Sequence, residues 1–169
     1  MHDEPAERAT ALTHVDETGA ARMVDVSAKA VTARTASAGA RVELTAAAYE
    51  LVDDGRLPKG DALGVARIAG IMASKKTPEL IPLCHPIALS GVVVDVACVD
   101  GFIRIVATVR TTDRTGVEME ALTAVAVAGL AVIDMVKGVD PDARMTDVEV
   151  LTKTGGVHGD WIRGQDRSP

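Results

Sequence analysis

Residues 87–110, Ile87-Ala88-Leu89-Ser90-Gly91-Val92-Val93-Val94-Asp95-Val96-Ala97-Cys98-Val99-Asp100-Gly101-Phe102-Ile103-Arg104-Ile105-Val106-Ala107-Thr108-Val109-Arg110, decide the fold. Ile87 to Val99 is rich in β-branched side chains, which pack well on a pleated surface. Asp100-Gly101 then supplies two residues that tolerate positive φ, as a tight hairpin turn needs. Phe102 to Arg110 runs back. With a period of two, Phe102, Arg104 and Val106 face one way and Ile103, Ile105 and Ala107 the other, so one side of the pair is built for a core.

Working outward, Thr115-Gly116 opens a long helix to about Lys137, closed by Gly138 and Pro141. Met145 to Leu151 reads as a last strand. Upstream, Asp61 caps a helix to about Lys75, with Pro78 ending that region, and Thr45 caps a short helix that stops at Gly55. Val31 to Leu44 and Met23 to Val26 carry weaker strand signals. The order β-α-α-β-β-α-β predicts an α+β fold: a mainly antiparallel sheet with helices packed on one face. Residues 1–22 read as a mobile arm, 23–163 as a single domain and 164–169 as a tail.

The chain has 169 residues, enough for one real core. Hydrophobic residues make up 47% but aromatics only 2%, with Tyr49, Phe102 and Trp161 standing alone. The core must come from Val, Ala, Leu, Ile and Met, whose small side chains let backbones approach closely. A net charge of −6 argues against duplex nucleic acid as a partner. Cys84 and Cys98 form neither a disulfide framework nor a metal-type pair. The N-terminal residues lack the apolar stretch of a signal peptide, and Ala121 to Ile133 is too short to span a bilayer. A soluble protein of a reducing compartment, the cytoplasm, is expected.

Three places carry chemistry. Ile81-Pro82-Leu83-Cys84-His85-Pro86 holds a thiol and an imidazole between two prolines, which stiffen the segment. Its plain reading, a rigid turn with Leu83 and Cys84 in the core, stands level with a site. Glu118 and Glu120 open the long helix, where its dipole alone would account for them. Asp134 and Lys137, three residues apart, share a face at its far end. They could be an ordinary ion pair, but Ile133, Met135 and Val136 around them point to partial burial and displaced pKa values. The helix between these ends is apolar on every side, which predicts enclosure and hence subunit contacts. Glu120 and Asp134 lie 14 positions apart, roughly 21 Å along the axis. A small molecule served by both ends therefore requires two subunits. Lys59, Arg67, Lys75, Lys76 and Lys153 stand near helices and strand ends, where cations hold phosphates, although each alone is more often a solvated charge. The usual nucleotide loops are absent.

Three motifs together, Lys75-Lys76-Thr77-Pro78-Glu79-Leu80-Ile81-Pro82-Leu83-Cys84-His85-Pro86, Thr115-Gly116-Val117-Glu118-Met119-Glu120-Ala121-Leu122-Thr123-Ala124 and Asp134-Met135-Val136-Lys137, resemble the molybdenum cofactor biosynthesis protein C family, the cyclic pyranopterin monophosphate synthases. Met23 to Ser27, Lys59-Gly60-Asp61 and Ala66 to Gly70 are similar to it too. The resemblance covers about residues 12–160. It implies a ferredoxin-like subunit in a homohexamer, a trimer of dimers, with sites at the dimer interface. It further implies conversion of (8S)-3′,8-cyclo-7,8-dihydroguanosine 5′-triphosphate to cyclic pyranopterin monophosphate and diphosphate, a lyase reaction. By motif position, Asp134 and Lys137 are the implied catalytic pair, with Lys59 catalytic or phosphate-binding. Leu83, Cys84, His85, Met119 and Glu120 would line the substrate pocket with Glu118 adjacent, and Arg67, Lys75 and Lys153 would suit the triphosphate. No cofactor is implied, and Mg2+ can accompany the triphosphate. No nucleic-acid or membrane partner is implied either. The chain departs from the family pattern at Val157-His158-Gly159-Asp160, where a basic or hydroxyl residue usually precedes Gly-Asp. Two further readings stay open: an oligomeric purine-nucleotide-binding protein without turnover, and an α+β enzyme acting on another purine nucleotide.

Overall fold

The computed structural model describes residues 18–156 and 159–165. The expectations for residues 1–17 of the arm, for 166–169 of the tail and for the departure at Val157-His158 lie outside them. The central hairpin is β2 (Leu89–Val99) and β3 (Phe102–Asp113), joined by Asp100 at φ 46° and Gly101 at φ 89°. Two consecutive positive φ values make the turn whose twist matches that of the strands. β1 (Thr32–Glu43) pairs with β3, and β4 (Arg144–Thr154) pairs with β1. A two-residue β5 (Trp161–Ile162), which its length hides from periodicity, closes the order β2-β3-β1-β4-β5. Every pairing is antiparallel. The sheet order and the helical crossovers make this a ferredoxin-like α+β fold.

One face of the sheet is buried. Ala36, Ala38, Ala40 and Val42 of β1 lie beside Ile103, Ile105, Ala107 and Val109 of β3 in one cluster, as the alternation of the return strand predicts. Covering them are α2 (Ala62–Ser74) and α4 (Glu118–Val136). α4 buries Ala121, Ala124, Val125, Ala128, Val132 and Val136, the i, i+3, i+4 pattern of an inward face. α2 meets it with Ala62, Ala66, Gly70 and Ala73. A Cβ on Gly70 would sit 2.8 Å from the carbonyl oxygen of Ala124, so the two backbones touch where glycine stands. This is the close approach that a core without aromatics predicts. Two of the three aromatics serve the periphery instead, Arg41 stacking over Phe102 and Arg163 over Trp161, while Tyr49 packs against the edge of the core.

Four expectations need correction. Met23 to Val26 is no strand; it carries no regular secondary structure and lies outside the sheet order. Thr45 is the N-cap of α1 (Ala46–Asp53), but its side chain makes no capping bond. Pro78 does not end a region; it sits in the first turn of a short helix, α3 (Thr77–Leu80), where its missing N–H costs nothing. The long helix starts at Glu118 rather than Thr115. Within one chain α4 leaves Leu130 57% exposed, the side on which the expected subunit contacts would have to fall. Val65, Ile68 and Met72 of α2 are exposed on the same helix layer.

Candidate functional site

The two chemical groups fall at opposite ends of α4. At its N-terminal end lies a cavity of about 480 Å³. The turn Ile81–Cys84, closed by the Cys84 N–H donating to the Ile81 carbonyl at 3.0 Å, brings Leu83, Cys84 and His85 to its wall. All three are half-buried, so the proline-bracketed segment is a cavity wall and not a core turn. Glu118, Met119 and Glu120 line the opposite side. His85 Nε2 donates to the Val24 carbonyl at 2.7 Å, which fixes the tautomer, because a carbonyl only accepts. That bond ties the irregular Met23–Val26 segment to the cavity, whose wall Val24 and Val26 join.

Glu120 is only 3% exposed. Burial pushes its carboxyl pKa up, and the nearby charge of Glu118 pushes the same way, while its own backbone N–H opposes the shift. Burial likewise raises the Cys84 thiol, helped by Glu120, so Cys84 is held as a thiol and is a poor nucleophile. Glu118 itself bonds Lys153 Nζ at 3.1 Å. Lys153 thereby reaches a smaller cavity that adjoins the first through Gly116 and Glu118 and is also walled by Arg34.

At the C-terminal end, Asp134 receives two amines. Lys137 Nζ lies 2.7 Å from Asp134 Oδ1, and Lys59 Nζ lies 3.2 Å from Oδ2. Lys59 Nζ also donates to the Asp134 backbone carbonyl at 2.6 Å. That carbonyl is one of the last four of α4, which the helix cannot satisfy internally, so a lysine from before α2 serves as a side-chain cap. The helix dipole favours cations there as well. Both amines donate to the Asp134 carboxylate and hold its pKa below the ordinary aspartate range.

The partial burial expected around Asp134 and Lys137 is not found: their side chains are 58% and 61% exposed. Ile133 and Val136 turn inward, while the polar pair points to solvent. Lys59 and Asp134 meet within one chain. α2 runs antiparallel to α4, its start near Asp134 and Gly70 against Ala124. Lys75, the exposed C-cap of α2, therefore stands at the Glu118 end. Arg67 is exposed midway along α2, and neither Arg67 nor Lys75 joins either group within one chain.

Two basic residues outside the expected set belong with the cavities. Lys29 lines the larger one. Arg34 walls the smaller and anchors itself by donating to the Asp113 and Arg114 carbonyls. Both follow the Met23–Ser27 motif closely, and that proximity was the signal available for them.

Residues 23–156 match the MoaC family. A cyclic pyranopterin monophosphate synthase of Streptomyces coelicolor is 64% identical over 152 residues, covering 90% of this chain and 89% of the relative. One from Nocardioides sp. is 61% identical over 166 residues, 96% of this chain and 99% of the relative. The protein named cyclic pyranopterin monophosphate synthase 2 in Mycobacterium tuberculosis is 56% identical over 156 residues, 92% and 93% of the two chains. With the fold, the cavity wall and the Asp134 cluster in the order of the resembling motifs, this chain belongs to the MoaC family.

Proposed function

We propose that this protein carries out the reaction for which its relatives are named: an enzyme of molybdenum cofactor biosynthesis that converts (8S)-3′,8-cyclo-7,8-dihydroguanosine 5′-triphosphate to cyclic pyranopterin monophosphate and diphosphate, as a phosphorus–oxygen lyase. The observation that carries this reading is the convergence of Lys59 and Lys137 on Asp134. Rebuilding a purine-derived ring moves several protons, and a carboxylate bridging two amines places donors and an acceptor within one hydrogen bond of each other. In this reading Asp134, Lys137 and Lys59 are the catalytic group. The cavity wall of Leu83, Cys84, His85, Met119 and Glu120, with Glu118 beside it, holds the bicyclic ring. Closing the cyclic phosphate expels diphosphate, whose growing charge calls for cations; Lys153, Arg67 and Lys75 are assigned to the triphosphate, and Lys29 and Arg34 add positive charge beside them. The chemistry needs no cofactor, and any Mg2+ would arrive with the triphosphate.

α4 keeps the cavity and the Asp134 cluster roughly 21 Å apart over 14 positions, so the assignment requires two chains per site. A homohexamer built as a trimer of dimers would meet that need. The exposed Val65, Ile68, Met72 and Leu130 support association through the helix layer. The partner is thus a second copy and a small-molecule substrate. A cytoplasmic location accompanies this reading. Among the described residues α4 has the length and composition to cross a membrane, yet it packs against the sheet and α2.

The test supplies the cyclised GTP derivative, freshly made by the upstream enzyme, to the purified chain. Diphosphate release together with oxidised-pterin fluorescence is expected. Tight binding of the compound without either product would overturn the reading in favour of a nucleotide-binding protein without turnover.

A further inference from the structure

Asp140 is a carboxylate 2% exposed that no step above uses. A buried carboxylate is costly unless its oxygens are hydrogen-bonded. Oδ2 accepts the backbone N–H of Thr45 at 2.6 Å, and Oδ1 accepts the N–H of Asp142 at 3.2 Å. Arg144, the basic side chain in the same shallow cavity, is bonded to Glu43 instead. Asp140 therefore serves backbone donors.

Its place in the chain gives those bonds a consequence. Thr45 is the N-cap of α1, and its own side chain makes no capping bond. In a capping box an acid from the third helical position takes the N–H of the N-cap residue; here an acid 95 residues away does so. α1 then leads through buried Leu57 to Lys59. On the other side, Asp140 follows the C-cap residue Lys137 by three positions, and its own N–H donates to the Val136 carbonyl at 2.9 Å. The segments carrying Lys59 and Lys137 thus meet twice. One meeting is the Asp134 cluster itself, whose exposed ion pairs hold geometry weakly in water. The other is Asp140, buried and charge-assisted.

We infer that Asp140 is a positioning residue for the Lys59–Asp134–Lys137 cluster, fixing the exit of α4 to the entry of α1 so that both amines stay on the Asp134 carboxylate. The inference rests on the proposed role of that cluster, and its test has a readout independent of turnover. In the full-length protein, Asp140→Ala is expected to lower kcat about tenfold to a hundredfold, since small misplacements of reacting groups cost that much. KM should stay within about twofold, because the ring cavity lies at the far end of α4. In a carbon-13 carboxyl titration, the Asp134 pKa should rise toward the ordinary value as the amines move away. Asp140→Asn keeps a side-chain oxygen for the Thr45 N–H and should restore most of both. Thr45→Pro removes the donor at a residue whose φ of −63° already suits proline, and should reproduce Asp140→Ala if the alanine variant fails to fold. Wild-type kcat with an unmoved Asp134 titration in either disrupting variant would overturn the inference, whatever happens to thermal stability. So would an Asn variant as impaired as Ala. If the wild-type chain is itself inactive, the proposed function fails, and the Asp134 titration still decides the tie.

Discussion

The two ends of α4 place acids in opposite surroundings. At the N-terminal end Glu120 is buried, has lost most of its water and has Glu118 for a neighbour, so its carboxyl inclines to keep its proton. At the C-terminal end Asp134 is open to solvent and gripped by two lysines, so it stays ionised to low pH. In the proposed function the difference separates recognition from proton handling: a buried wall suits a flat heterocycle, whereas a solvated carboxylate between ammonium groups can relay protons. On the same proposal a cluster facing open water needs a cover from a second chain, since the helix is rigid enough to keep its two ends from supplying it to each other.

The sharpest way to break this contrast is to disable each end separately. Lys137→Ala and Asp134→Asn should each lower kcat by about a hundredfold or more, the scale of lost general acid–base assistance. Diphosphate release would measure it, and undiminished turnover would remove the cluster from the chemistry. At the other end, His85→Ala frees the Val24 segment and should act on binding, raising KM about tenfold with a smaller change in kcat. A fall in kcat alone would mean that the cavity wall shares in the proton transfers.

Gly70→Ala probes the helix seam that lines up Lys59 with Asp134. Its Cβ would meet backbone rather than a flexible side chain, so the loss should be about 1–3 kcal/mol in denaturant unfolding. The smallest effect is expected from Glu120→Gln. A carboxyl whose pKa is higher folded than unfolded contributes stability below the unfolded value and loses it as pH rises through the folded one. Gln cannot ionise, so the variant should melt above wild type at neutral pH, with the gap closing below about pH 4. A lower melting temperature at neutral pH would show that Glu120 is not strained by its burial.

The hairpin and its buried face were legible because Asp100-Gly101 and the alternation from Ile103 to Val109 are local signals. The boundaries that slipped depend on contacts made far away in the chain. Thr45 looks like a self-sufficient cap until Asp140 supplies the acceptor, and Met23–Val26 reads as a strand because its anchor, His85, lies 61 positions on. The same holds at the site. Asp134 and Lys137 were visible through their spacing, but the exposure of their side chains was not, since Ile133 and Val136 announce a buried turn whose polar face points the other way. That Lys59 reaches Asp134 was not legible, because the direction of α2 relative to α4 is set by the packing of Gly70 on Ala124, which no periodicity encodes.

The central claim is that the two ends of α4 serve one site across two chains. Mixing His85→Ala subunits with Lys137→Ala subunits before assembly tests it most directly. With substrate held well below the wild-type KM, mixed oligomers pair an intact cavity from one chain with an intact Asp134 cluster from the other, so they should turn over faster than either parent alone. Proven mixing without any recovery would contradict the account.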